Sequence, residues 1–347
     1  MQRELTQLLG TELPIVQAPM AGVQDGALAA AVSGAGALGS LPCALLAPDA
    51  VRDEVAAIRA RTDRPFNLNF FCHEMPTPHP ERERAWRDAL HGYYRELGVD
   101  ATSIPAAPAR LPFGDEALEL VEALRPAVVS FHFGLPAPQR LARVKACGAR
   151  VLSTATTVDE ALWLEAHGAD AVIAQGLDAG GHRGMFLARD LSSQLGTFAL
   201  VAQVARAVRV PVIAAGGIAG ASAVAAALAL GAQGVQVGTA YLLCPEARTS
   251  DVHRAALAGR TARTTAVTNV FTGRPARAIV NRIVRELGPI SPQAPEFPLA
   301  AAALAPLRAK AESMGSGDFS PLWAGQNASG CSEKHAAELT RSLAARL

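Results

Sequence analysis

Short runs of β-branched or apolar residues recur along the chain, and most are followed by an Ala/Leu-rich stretch with helical spacing. The runs predict eight strands: Ile15–Ala18, Ala37–Leu41, Asn67–Phe71, Ala127–His132, Arg150–Ala155, Ala171–Gln175, Val212–Ala215 and Gly234–Val237. Between them lie helical patterns over Asp25–Ser33, Pro48–Arg61, Glu116–Leu124, Pro138–Cys147, Thr157–Ala166, Thr197–Ala207 and Ser222–Leu230. Strands that alternate with helices pair in parallel through crossovers. Eight such units predict an α/β fold, a (β/α)8 TIM barrel, with an open doubly wound sheet as the alternative.

Two stretches depart from the repeat. His73–Phe113, rich in proline, histidine and aromatics, lengthens the connection after the third strand. Beyond Glu246 the alternation stops, and helical pieces, the Thr272-Gly273-Arg274-Pro275 turn and the proline-rich Pro289–Pro298 segment follow. The division expected is residues 1–245 as barrel and 246–347 as a mainly helical C-terminal region covering its mouth.

Composition narrows the function. With 32 basic and 31 acidic residues and only three lysines (Lys145, Lys310, Lys334), the chain has no footprint for nucleic acid or anionic membrane. Five scattered cysteines without a C-x-x-C argue against a disulfide framework or a zinc site and favour a reducing cytosol. The N-terminal Met1–Leu5 carries an acid and lacks a signal-peptide core. Val210–Pro245 is free of charge over a length sufficient to span a bilayer. Its glycines and Gln233 and Gln236 make it read instead as strand, turn, helix and strand inside a parallel core.

In such a barrel the chemistry sits at the C-terminal ends of the strands. Polar and glycine residues gather there: Gln17-Ala18-Pro19-Met20, Asn69, Ser130-Phe131-His132, Gln175-Gly176, Ala215-Gly216-Gly217 and Gln236-Val237-Gly238-Thr239. Gly34-Ala35-Gly36-Ala37-Leu38-Gly39 matches a dinucleotide fingerprint only on paper. It leaves a helix and enters a strand, so it reads as a helix cap and tight turn. Ala214–Gly220 does leave a strand and precede a helix, and with Gly238-Thr239-Ala240 it forms a candidate phosphate cradle; packing turns are the alternative. The glycine-rich Ala174–Gly184 stretch permits close approach to a flat ligand and projects His182 as a general base, a donor to developing charge or a loop hydrogen bonder. His132 faces the same mouth or serves as a core histidine. The chain has no G-x-S-x-G, H-E-x-x-H or P-loop and no lysine at a strand end, so an organic cofactor is the expected carrier of the chemistry, with no metal.

Together with Pro65-Phe66-Asn67-Leu68-Asn69, Val129–Gly134, Phe271–Arg277 and Trp323–Gln326, these motifs occur in an order that resembles the nitronate monooxygenase family, formerly the 2-nitropropane dioxygenases, in its class I form. The resemblance runs from about Pro14 to Ala324. It implies an FMN-containing TIM barrel that oxidises alkyl nitronates with dioxygen, through a flavin semiquinone, to nitrite and a carbonyl compound. Carried over, FMN would contact Met20, Asn69, Gln175, Gly180, Gly181, Gly217, Gln236, Val237, Gly238 and Thr239. His182 matches the family's active-site histidine, and His132 would face the substrate beside it. The family loop commonly reads Glu-Ala-Gly-Gly-His; here Asp178 replaces the glutamate. Propionate 3-nitronate fits the implied class, although no residue selects it; Arg183 and Arg274 read as solvated surface arginines, with a contact to the substrate carboxylate as the alternative. The rival readings are an NAD(P)H-dependent flavin reductase of the enoyl-acyl carrier protein reductase or quinone reductase type, and a flavin-binding protein without catalysis. No interface pattern indicates an oligomeric state.

Overall fold

A parallel strand in a barrel is covered on both faces, so its residues alternate between the barrel interior and the helical shell. The computed structural model describes residues 2–104 and 110–347; Met1 and residues 105–109, which belong to the long connection after the third strand, lie outside the described residues. All eight expected barrel strands are present: β1 (Ile15–Gln17), β2 (Gly39–Pro42), β3 (Phe66–Phe71), β4 (Val128–His132), β5 (Arg150–Ala155), β6 (Ala171–Gln175), β8 (Val212–Ala215) and β9 (Gly234–Val237). They form one parallel sheet in the order β1-β9-β8-β6-β5-β4-β3-β2. Val16 pairs with Leu38 ahead of β2, with Leu38 N–H donating to Ile15 at 2.9 Å, and this bridge closes the barrel. The seven expected helices follow their strands, from Gly26–Gly34 to Ala221–Ala229.

Alternation sorts the side chains. In β4, Val128 points inward to a layer with Val16, Leu152, Ile173 and Ile213, while Val129 and Phe131 pack outward against the helices. Helix Gln2–Leu9 plugs the lower end, with Leu5 and Leu9 buried against that inner layer. Gly234 is required there, because a Cβ would fall 2.4 Å from Leu5 Cδ2 and 2.6 Å from the Pro14 carbonyl oxygen. Higher up the interior becomes polar: Asn67 Nδ2 donates to Ser40 and Ser130 hydroxyls at 3.0 and 2.8 Å. Gly39 is a packing glycine, since a Cβ would lie 2.0 Å from the Ala29 carbonyl oxygen. The Gly34–Gly39 stretch therefore joins helix to strand as a packing turn. Among the described residues no helix is long and apolar enough to cross a membrane, and Val210–Pro245 is a buried strand, helix and strand.

The region after Glu246 holds more than helices. A hairpin of β10 (Thr265–Thr268) and β11 (Ala276–Ile279) pairs antiparallel with β7 (Gly181–His182), matching Ala276 to His182. A two-residue strand has no sequence period, which is why it went unpredicted. Helix Pro80–Leu97, from the long connection after β3, shares a core with helix Ala300–Ser313 through Trp86, Leu90, Tyr94, Leu304 and Leu307. The last helix, Ala336–Leu343, lies on the barrel wall and not over the mouth, with Ala336, Leu339 and Leu343 packed into the outer barrel core.

Candidate active site

The C-terminal ends of the barrel strands open into a cleft enclosing about 1240 Å³ of space, solvent at its mouth included. Of the residues expected to meet cofactor or substrate, Met20, Asn69, His132, Gln175, Gly180, Gly181, His182, Gly217, Gln236, Gly238 and Thr239 line it. Val237 does not. It alternates with Gln236 along β9, so its side chain is buried outward in the barrel–helix core.

The loop after β6 is clamped at many points. The Gln175 side chain spends its amide on the loop itself: Oε1 accepts from Gly184 N–H at 2.8 Å and Nε2 donates to the His182 carbonyl at 2.9 Å. Arg183 is 0 % exposed, which corrects its reading as a solvated arginine. Its guanidinium donates to the carbonyls of Gln175 and Gly176, both at 2.7 Å, and to Gln194 Oε1 at 3.0 Å. Burial draws its pKa down to about 10, so it remains a cation at neutral pH. Replacing it with Met leaves buried acceptors without a donor, and is expected to lower the unfolding free energy by about 3 kcal/mol in a urea titration; unchanged stability would remove the clamp.

Asp178 also acts on the loop. Its Oδ2 accepts from the Thr197 N–H at 2.7 Å and the Thr197 hydroxyl at 2.8 Å, at the start of helix Thr197–Ala207. Burial opposes the charge, but the Thr197 hydrogen bonds prevail and hold the carboxyl below its ordinary range. The shorter acid thus joins the β6 loop to the next helix.

His182 stands between Phe297 and Trp323, with ring centroids at 5.3 Å from each. Its Nε2 lies 2.9 Å from the Thr272 hydroxyl, carried by the turn between β10 and β11. Burial, and then the positive charge of Arg110 and the neighbouring His132, Arg274 and His73, push its pKa well below the usual histidine value, so the ring is neutral at pH 7.

His132 has both nitrogens engaged: Nε2 lies 3.2 Å from the His182 carbonyl and Nδ1 lies 3.1 Å from the Thr154 hydroxyl. A carbonyl only accepts, so Nε2 carries the proton and Nδ1 accepts from Thr154. Burial lowers its pKa to about 3. The ring lines the cleft as expected, but its polar atoms hold the His182 loop instead of reaching for substrate. Gly184 makes room for this arrangement, since a Cβ would sit 2.6 Å from Thr154 Cγ2 and 2.9 Å from His132 Cε1.

The same cleft has a glycine-rich wall. Gly216 (φ +123°) and Gly217 (φ +69°) adopt backbone conformations that L side chains rarely take, just ahead of helix Ala221–Ala229. Gly238 and Thr239 line the same cleft, and Gly325 N–H donates to the Thr239 hydroxyl at 2.9 Å. Asn327 Nδ2 donates to the Gly217 carbonyl at 3.0 Å. No Asp or Glu is found among the described residues lining the cleft, whereas Arg110 is.

Several lining residues escaped the sequence reading. Phe71 and Thr154 occupy the inward phase of β3 and β5, two positions on from Asn69 and Leu152, and strict alternation finds both. Arg110, Trp323 and Asn327 come from segments without a period; Trp323 stood out only as part of the Trp323–Gln326 motif, with no place in the site, and nothing marked the other two. Arg274 is half-buried, its guanidinium 3.9 Å from the Phe133 ring centroid and donating to the Met185 carbonyl, which corrects its reading as a solvated arginine.

The buried histidines predict acid sensitivity. Burial lowers His73 and His253 to about 4, against an unfolded value near 6.5. Between those values the unfolded chain binds protons that the native one refuses, so stability is full above about pH 6.5 and declines as pH falls. At pH 5 each of these two residues, 4 % and 3 % exposed, should cost about 2 kcal/mol. Urea midpoints measured at pH 7 and pH 5 check this, and equal midpoints would contradict it.

Comparison with known proteins agrees with this arrangement. The family described as nitronate monooxygenase matches residues 2–345. The chain is 44 % identical to the nitronate monooxygenase of Pseudomonas aeruginosa, over 99 % of this chain and 98 % of that protein. The structure of nitroalkane oxidase from Streptomyces ansochromogenes superposes with a TM-score of 0.90 at 40 % identity, covering 99 % and 97 % of the two chains. FabK from Thermotoga maritima shares the fold at a TM-score of 0.73 and 28 % identity, over 99 % and 94 %. The strand-end constellation, the barrel that carries it and the full-length match agree: this chain belongs to the nitronate monooxygenase family of oxidoreductases.

Proposed function

We propose that the protein is an FMN-dependent nitronate monooxygenase, converting alkyl nitronates and dioxygen to a carbonyl compound and nitrite, with propionate 3-nitronate among its substrates. The observation that carries this reading is a cleft lined by a neutral histidine and by left-handed glycines, with no carboxylate among the described residues of its wall. Such a cleft suits two anions, a phosphate and a nitronate.

The residues fit FMN. Gly216 and Gly217 bring backbone to the phosphate position, with the N-terminus of helix Ala221–Ala229 behind them. At Gly180 a Cβ would lie 2.5 Å from Gly325 N, so the wall stays flat beside the ring position. Asn69 and Gln236 place amides on the wall for the edge of a heterocycle. In this reading Met20, Gly180, Gly181, Gly238 and Thr239 contact FMN directly, and Gln175 acts mainly by holding the His182 loop. Bound FMN would supply the electron acceptor for the nitronate and the donor for dioxygen. In this reading residues 1–245 form the FMN barrel and the region after Glu246 covers it, except the last helix, Ala336–Leu343, which packs on the barrel wall. The five free thiols suit a reducing cytosol.

The rest of the chemistry belongs to the chain. His182 holds the nitro end of the substrate by hydrogen bonding, and Phe71, Phe297 and Trp323 exclude water around it. Steady-state assays with ethyl nitronate should show dioxygen uptake together with nitrite release. NADH or NADPH oxidation without a nitronate would instead identify a flavin reductase.

A further inference from the structure

We propose that Thr272 is a positioning residue that fixes His182 as the Nδ1–H tautomer, so that the ring offers the substrate a neutral N–H donor and brings no basic nitrogen into the cleft. This rests on the nitronate reading and deepens it by naming a residue from outside the barrel that sets which nitrogen of the active-site histidine carries the proton.

The assignment follows from hydrogen-bond accounting. Thr272 is 2 % exposed, and among the described residues its hydroxyl has one partner, His182 Nε2 at 2.9 Å. A buried hydroxyl with a single available acceptor donates its proton to that acceptor. Nε2 therefore accepts and Nδ1 carries the ring proton. Nδ1 has no protein partner among the described residues and is not among the sealed polar atoms, so it is the nitrogen left open on a residue that lines the cleft.

The hydroxyl is held in place from outside the barrel. The turn bearing Thr272 joins β10 to β11, and β11 pairs with β7 through Ala276 and His182. Arg183 N–H also donates to the Pro275 carbonyl at 2.8 Å. The hairpin thus fixes both the backbone and the ring of the histidine. The charged and titratable groups around the ring are Arg110 before Phe113, His132 on β4, His73 after β3 and Arg274 on the turn itself, and none supplies a negative charge that would favour imidazolium.

The consequence is chemical. A nitronate oxygen carries negative charge and accepts from Nδ1–H as it stands. A neutral nitroalkane must first lose a carbon-bound proton, and the cleft offers no acceptor for it: Nδ1 is protonated, Nε2 is occupied by Thr272, His132 Nε2 is a donor and His132 Nδ1 is taken by Thr154. No carboxylate lines the wall among the described residues.

The test is ¹⁵N NMR of the FMN-loaded protein with labelled histidine, His182 being assigned by difference from His182→Asn, alongside kinetics of Thr272→Val and Thr272→Ser. In the wild type His182 should show a protonated Nδ1 and an accepting Nε2, with turnover of ethyl nitronate and none of nitroethane. Thr272→Val should shift the ring toward Nε2–H and lower kcat/KM for the nitronate about ten-fold; Thr272→Ser should restore both. An Nε2–H or doubly protonated ring in the wild type, or a Thr272→Val protein with the wild-type tautomer, would overturn the proposal. A wild type with the Nδ1–H signature but no nitronate turnover would overturn the functional reading while leaving the tautomer assignment standing.

Discussion

Gly217→Asp is expected to give a folded protein that no longer retains FMN. At φ +69° the position belongs to the left-handed region, which Asp tolerates better than most residues, so the substitution places little strain on the backbone. Nor is there a steric conflict, because a Cβ would meet the nearest atom, Asp178 Cβ, at an ordinary 3.5 Å. What changes is charge. A second carboxylate would be placed beside Asp178, next to the proposed phosphate position, in a cleft that has no acid among the described residues of its wall. Like charges brought together in a binding site cost several kcal/mol, so the loss in affinity should be about 100-fold or more. Flavin absorbance per chain after gel filtration, with circular dichroism as the check on folding, measures it. A Gly217→Asp protein that keeps a full complement of FMN would place the phosphate elsewhere.

The second large effect concerns His182. Its replacement by Ala removes the ring N–H that faces the nitro end of the substrate, and kcat/KM for ethyl nitronate should fall by roughly 10²–10³, the usual consequence of deleting one preorganised donor. His182→Asn should weaken turnover less, because its amide N–H reaches toward the position of Nδ1. FMN content should be unchanged in both, since the loop is held by Arg183 and Gln175 and not by the ring. Stopped-flow reduction under anaerobic conditions separates this effect from any change in the reaction with dioxygen. Undiminished reduction in His182→Ala would remove the residue from the site.

The barrel was legible because its signal is periodic. Each strand is a short β-branched or apolar run, most of them followed by a helical stretch, and glycine or amide residues sit where β6, β8 and β9 end. The same periodicity located Asn69, His132, Gln175 and Gln236. It also accounts for Val237, which shares the strand end with Gln236 but by alternation turns its side chain outward into the barrel–helix core. Helix Pro80–Leu97 carries Trp86, Leu90 and Tyr94 on one face, a pattern hidden in the sequence by the proline, histidine and charge around it.

The two arginines were illegible for a different reason. Arg183 is buried against backbone carbonyls and Arg274 against an aromatic face, and neither kind of partner leaves a mark in the sequence, whereas a neighbouring carboxylate would have done so. Thr272, Trp323 and Asn327 reach the site by long-range pairing of the C-terminal region with β7 and the glycine loops. Contacts of that kind depend on how the hairpin docks, and local composition does not encode it.

The central claim is that this cleft takes electrons from an anionic nitronate by way of bound FMN. The most direct measurement is the anaerobic absorption spectrum of the purified protein, mixed separately with ethyl nitronate and with NADH or NADPH. The account predicts rapid loss of oxidised-flavin absorbance with the nitronate and no response to either pyridine nucleotide. Bleaching by NADH or NADPH, with none by the nitronate, would contradict it.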